Sequence, residues 1–190
     1  MRRLAALAIP AAVLALAWGC ASPPSRFYTL SAEAVAAGPA VNVSIAVGPV
    51  LVPAVVDRPQ IVVSDGANQV RLDEFNRWAS PLADNIARVI AANLAQELGT
   101  GRVWAHTHPA LQKPDYEVLI DIQRFHSALG DAVAIDALWT VRPAAGGAAK
   151  SGRSLVREPT SGGGFDLLVA AHSRALARVS AEIAAAIRAP

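Results

Sequence analysis

Four groups of residues in this 190-residue chain have types and spacings that could do chemistry. His106 and His108 alternate, so a strand there would put both imidazoles on one face. A zinc site takes three or four ligands, however, and no third is near in sequence. Asp121 and Asp136 fall on neighbouring predicted strands, where a carboxylate pair would serve general acid and base work; two solvated acids facing apart is the commoner arrangement. Gly162-Gly163-Gly164 precedes a predicted helix and could offer amide hydrogens to an anion. It lacks the Gly-Lys-Ser/Thr of a nucleotide loop and reads more simply as a hinge. Cys20 is the only cysteine, which excludes a disulfide within one copy. Neither a Gly-x-Ser-x-Gly elbow nor a helical His-Glu-x-x-His is present. The expectation is a protein with no catalytic residues, no metal site and no cofactor. His126 and His172 read as a strand-end and a helix-surface residue.

The start of the chain reads as a leader. Arg2 and Arg3 precede an apolar run from Leu4 to Trp18, and Gly19-Cys20 follows. The run is short of the roughly 20 residues that a membrane span needs. An apolar run, a small residue and a cysteine resemble a lipoprotein signal, which makes Cys20 the lipidation site. Ala17 and Trp18 stand where such signals usually carry leucine and a small residue, and cleavage after Ala17 or Ala21 is the alternative. Ala21 and Ser22 follow the cysteine in place of Asp, which by resemblance to sorted lipoproteins points to the outer membrane. Loss of Arg2 and Arg3 with the leader leaves fifteen basic and fifteen acidic residues. That near-neutral chain has no basic tract to follow a phosphate backbone, so nucleic acid is not an expected partner.

Residues 1–19 are thus the signal peptide, 20–40 a lipid-anchored tether, and 41–190 a single domain. About 170 mature residues suffice for one core that buries roughly 70% of its unfolded surface. Val41, Val43, Ile45 and Val47 alternate with smaller or polar residues as in a strand with one buried face. Pro49 and Pro53 then make 49–56 an edge or an irregular crossing. Ile61–Val63 and Val70–Leu72 flank an Asp65-Gly66 turn and read as a hairpin. Ser80 as N-cap and Pro81 at the first helical position open a helix in which Leu82, Ile86, Ile90, Leu94 and Leu98 recur every four residues, with Gly99 as its stop. Asp84 and Arg88 are spaced for a solvated pair. Strands follow at 102–105, 115–125, 132–141 and 151–157. A second helix spans 166–187 with Leu168, Ala175, Val179, Ile183 and Ile187 on one stripe. The predicted class is α+β, a mixed and largely antiparallel sheet with two long helices packed on one face. Trp78, Trp104 and Trp139 are apolar anchors, for the core first and for an interface second.

One stretch remains, Asp57-Arg58-Pro59-Gln60. Pro59 has no amide hydrogen and forces Arg58 to be extended, so the segment is a fixed corner that displays Asp57 and Arg58. It is either a connecting turn or a surface that faces a partner.

With Arg26-Phe27-Tyr28-Thr29-Leu30 and Arg77-Trp78-Ala79-Ser80-Pro81-Leu82, this corner resembles the PqiC family of lipoproteins, auxiliary subunits of ABC-type transport systems with MCE proteins. The resemblance covers most of the mature chain. It implies a non-catalytic, lipid-anchored periplasmic subunit of an MCE-type lipid transport system, supporting lipid trafficking and envelope integrity. Its partners would be an MCE-domain membrane protein with its ABC components and, as a homo-oligomer, further copies of itself. Asp57, Arg58, Pro59 and Gln60 are then the partner-binding residues. A stand-alone periplasmic lipid-binding lipoprotein is the alternative, and a periplasmic hydrolase would need a nucleophile that the sequence does not offer.

Overall fold

The structure, a computed structural model, describes residues 23–34, 38–106 and 113–189. Its elements in chain order are β1 (Arg26–Tyr28), β2 (Ile45–Leu51), β3 (Gln60–Ser64), β4 (Val70–Trp78), α1 (Leu82–Leu98), β5 (Val103–Ala105), β6 (Tyr116–Ser127), β7 (Ala132–Pro143), β8 (Lys150–Pro159) and α2 (Phe165–Arg188). The α+β class holds, and the strands divide into two sheets. Five strands run in the order β5-β2-β6-β7-β8, and three in the order β1-β4-β3.

The large sheet and the helices form the core. α1 packs over β2 and β5, α2 over β7 and β8, and the helices pack on each other. Leu82, Ile86, Ile90, Leu94 and Leu98 are all buried, as are Leu168, Ala175, Val179 and Ile183 of α2, because each stripe meets the same sheet face. Gly99 ends α1 in the left-handed conformation, where a side chain would be strained. β6, β7 and β8 form an antiparallel meander. A register shift between Ile122 and Arg124 of β6 turns Phe125 and Ser127 onto the buried face, in line with Ile122.

Three local expectations change. β2 is central and parallel to both neighbours, so Ser44 to Gly48 are buried on both faces and the one-sided alternation does not hold. Pro49 is accommodated where the β2–β6 register shifts, between Val47 and Val50, which spares the ladder a missing donor. Ser80 is not the N-cap either. α1 begins one residue after Pro81, and Arg88 takes the Ser80 hydroxyl at 2.7 Å instead of pairing with Asp84.

Part of the stretch read as tether is packed onto the domain. Leu30 is buried in the core. Asn93 of α1, fully buried, accepts the amides of Glu33 and Ala34 at 3.0 and 3.2 Å, and Ser173 of α2 accepts that of Ser31 at 3.1 Å. Asn93 also donates to Ser180 at 3.3 Å. A line of small polar residues between the helices thus satisfies an extended segment whose backbone would otherwise be buried unpaired.

Candidate functional site: the Asp57–Gln60 corner

The loop after β2 folds back on itself, with the amides of Val56 and Asp57 donating to the Pro53 carbonyl at 3.0 and 3.2 Å and that of Arg58 to Val56 at 2.9 Å. The corner is fastened to β4 through the Pro59 carbonyl, which accepts the Trp78 amide at 2.7 Å. Gln60 enters the small sheet opposite Arg77, and its side-chain amide reaches Glu74 at 3.4 Å. Asp57, Arg58 and Pro59 thereby meet Trp78, Ala79, Ser80, Pro81 and Leu82 around an open cleft of about 380 Å³. The two segments that stood out in sequence line one concavity.

Arg58 is the chemically unsettled residue of this cleft. Its Nε is buried and has no hydrogen-bond partner among the described residues. Leaving a buried donor unmade costs roughly 1–3 kcal/mol, more for a charged group. A guanidinium in that position is suited to a carboxylate or phosphate oxygen brought from outside.

Behind the cleft lies a continuous aromatic support. Trp78, buried, meets Phe125 edge-on with ring centroids 6.3 Å apart, and Phe125 stacks on His172 at 4.0 Å. Ser127 Oγ lies 2.8 Å from His172 Nε2, while His172 Nδ1 is buried without a partner among the described residues. His172 is therefore a core residue and not a helix-surface one, because α2 turns this position onto the bulged end of β6. Burial, with a smaller push from neighbouring His126, holds His172 down to about 3. A serine–histidine pair sealed from solvent, with so weak a base and no group to orient it, lacks what an activated nucleophile needs. His126 is also held below its ordinary value, by burial and then by Arg124, and faces Ser64 Oγ at 3.0 Å from Nδ1.

The other sequence candidates do not converge. Asp121 stands opposite Leu138 and Asp136 opposite Arg124, so the carboxylates are not paired. Asp136 instead receives Arg153 through both oxygens, at 2.9 and 2.6 Å, and those hydrogen bonds hold its carboxyl below the ordinary range. His106 is exposed, His108 and Cys20 lie outside the described residues, and no group of three His, Cys, Asp or Glu that could hold a metal occurs among the described residues. Gly162–164 simply lead into α2. Three further clefts among the described residues, of about 220 Å³ under Leu51, Leu119 and Leu138, about 170 Å³ beside His126 and about 150 Å³ beside His106, fall below the usual size of small-molecule sites.

Sequence reasoning found the corner but missed the aromatic support and the Asn93 clasp. The signal available was the spacing of Asn85 with Asn93 and of Ser173 with Ser180, eight and seven residues apart on helix faces otherwise apolar.

Residues 28–184 match the model of the family described as ABC-type transport auxiliary lipoprotein component. The chain belongs to that family. The resemblance drawn from the corner and the Arg-Trp-x-x-Pro-Leu segment therefore stands at this level, for an auxiliary lipoprotein component of a transport system. Two crystal structures share the fold of this chain. One, of an uncharacterized protein, is 24% identical over 87% of this chain and 99% of its own, with a TM-score of 0.71. The other, a Xanthomonas campestris protein of the DUF330 family, is 20% identical over 84% of this chain and 93% of its own, with a TM-score of 0.70. No curated protein is similar enough in sequence to register as a match. No helix among the described residues of this family member is long and apolar enough to cross a membrane.

Proposed function

We propose that this chain is a non-catalytic auxiliary subunit of an MCE-type ABC lipid transport system, anchored through acyl groups on Cys20 and facing the periplasm from the outer membrane. Asp57, Arg58, Pro59 and Gln60 form its docking surface for the MCE-domain partner. The observation that carries the reading is the Arg58 cleft, because it sets a guanidinium whose buried Nε has no partner among the described residues in a hydrogen-bonded corner of a chain whose family assists ABC-type transporters. An acidic group of the partner that enters the cleft would complete the Arg58 hydrogen bonds, and the apolar walls around Trp78 would exclude water from the pair. In this reading the protein supports lipid trafficking and envelope integrity by holding the complex together, as a homo-oligomer matched to the symmetry of its partner.

The alternative, a stand-alone lipid carrier, fits less well with a corner cleft of about 380 Å³ that is open to solvent. The test is a crosslinked pull-down of a C-terminally tagged chain from detergent-solubilised envelopes, with partners identified by mass spectrometry. Recovery of an MCE-domain protein with its ABC components is expected. Recovery of only the chain itself, or of the chain with lipid, overturns the transport-subunit reading.

A further inference from the structure

Eight large apolar residues are exposed among the described residues, and four of them, Phe27, Val70, Leu72 and Phe75, lie on β1 and β4 of the small sheet. Register explains the clustering. Phe27 is opposite Arg77, which is opposite Gln60; Leu72 is opposite Val62 and Val70 opposite Ser64. These share the face opposite to Tyr28, Trp78, Ile61 and Val63, which turn inward; it is open along β1 and β4, while at β3 Val62 is buried and Ser64 meets His126. Phe75 is held out by an irregularity in β4. There the Asp73 carboxylate accepts the amides of Phe75 and Asn76 and the Asn76 side chain at 3.1, 2.9 and 2.8 Å, and the β3–β4 register shifts beside it.

The way the chain enters this sheet decides what covers the face. Pro23 is only three residues beyond Cys20 and Arg26 already begins β1. At 3.3–3.6 Å per residue, Cys20 can stand at most about 10 Å from Pro23. The next stretch offers no slack, since Ser31, Glu33 and Ala34 are hydrogen-bonded into the cleft between the helices. A lipid on Cys20 therefore brings the β1 side of the small sheet to the membrane surface.

We propose that the outward face of the three-stranded sheet, with Phe27, Val70, Leu72 and Phe75, lies against the headgroup region of the bilayer that holds Cys20. This rests on the lipid-anchor part of the function proposed above. Aromatic residues favour that interfacial depth, and long cationic side chains reach its phosphates. Arg71 pairs with Asp73 and Arg77 with Glu74, so the contact is mainly apolar, with Arg26 free of an ion pair among the described residues. The acyl chains supply retention and the sheet supplies orientation, which fixes how the Arg58 cleft is presented to a partner.

The test uses the full lipoprotein in vesicles of phosphatidylethanolamine and phosphatidylglycerol, with single cysteines introduced by Leu72→Cys or Leu155→Cys and labelled with bimane. Both sites are exposed, at 37% and 69%, so neither substitution disturbs the core. Doxyl-labelled lipid should remove most of the emission from position 72 and leave that from position 155 unchanged. Equal responses at the two positions in protein that floats with the vesicles overturn the seating while the anchor stands. Crosslinking between copies through position 72, without quenching, assigns the face to a second copy and also overturns it. Protein that does not float and whose Cys20 peptide carries no acyl mass removes the anchor, and the seating with it.

Discussion

The five-stranded and three-stranded sheets of this protein spend their residues differently. In the large sheet the face toward the helices is closed. Trp139 donates to Ser154 at 3.0 Å, Ser154 to Glu182 at 2.5 Å, and neighbouring strands are tied by Arg153 with Asp136 and Arg142 with Glu117. In the small sheet three strands leave Phe27 65% exposed, hold Phe75 out, and end at a corner where Arg58 Nε has no partner among the described residues. On the function proposed above, the difference assigns stability to the large sheet with its helices and recognition to the small sheet.

That division breaks most readily at the core. Leu176→Ala, at a fully buried position of α2, should lower stability by about 2–5 kcal/mol in urea unfolding, whereas Phe27→Ala on the small sheet should stay within about 0.5 kcal/mol. Comparable losses for the two would erase the contrast. Gly152 lies opposite Trp139, and a Cβ there would overlap the indole ring. Gly152→Ala should therefore cost about 1–3 kcal/mol and move Trp139 fluorescence.

Acid sharpens the comparison from the seam between the sheets. His172 is neutral in the fold at values down to about 3 but takes a proton near 6.5 when unfolded. Its contribution is therefore complete above 6.5 and is lost as the pH falls through 6.5 toward 3, at about 1.4 kcal/mol per pH unit. His126, also held down by burial, adds in the same direction. Thermal unfolding followed between pH 7 and pH 5 should show this slope, and His172→Phe should flatten most of it. A slope unchanged by that substitution would place the sensitivity elsewhere.

The same contrast governs what the sequence could tell. Both helices were legible because their apolar residues recur at a helix's own period against one flat surface, and the β6–β7–β8 meander because alternation survives wherever one face is covered. The small sheet was only half legible. Its hairpin follows from Asp65-Gly66, but β1 is three residues long and exists by parallel pairing with Asn76–Trp78, some fifty positions away. β2 lost its alternation to burial on both faces, and the Ser80 cap lost to Arg88, both decided by neighbours that periodicity does not see. The corner was found by the turn chemistry of Pro59, while its support through Phe125 and His172 depends on a register shift in β6 that no local pattern announces.

The most direct test of the central claim is Arg58→Ala, read at once for stability and for capture of the proposed MCE-domain partner from crosslinked envelopes. Truncation removes a buried donor without a partner, so the melting temperature should be unchanged or slightly raised while partner recovery falls sharply. Undiminished recovery would contradict the claim, as would a loss of recovery that simply follows a loss of folding.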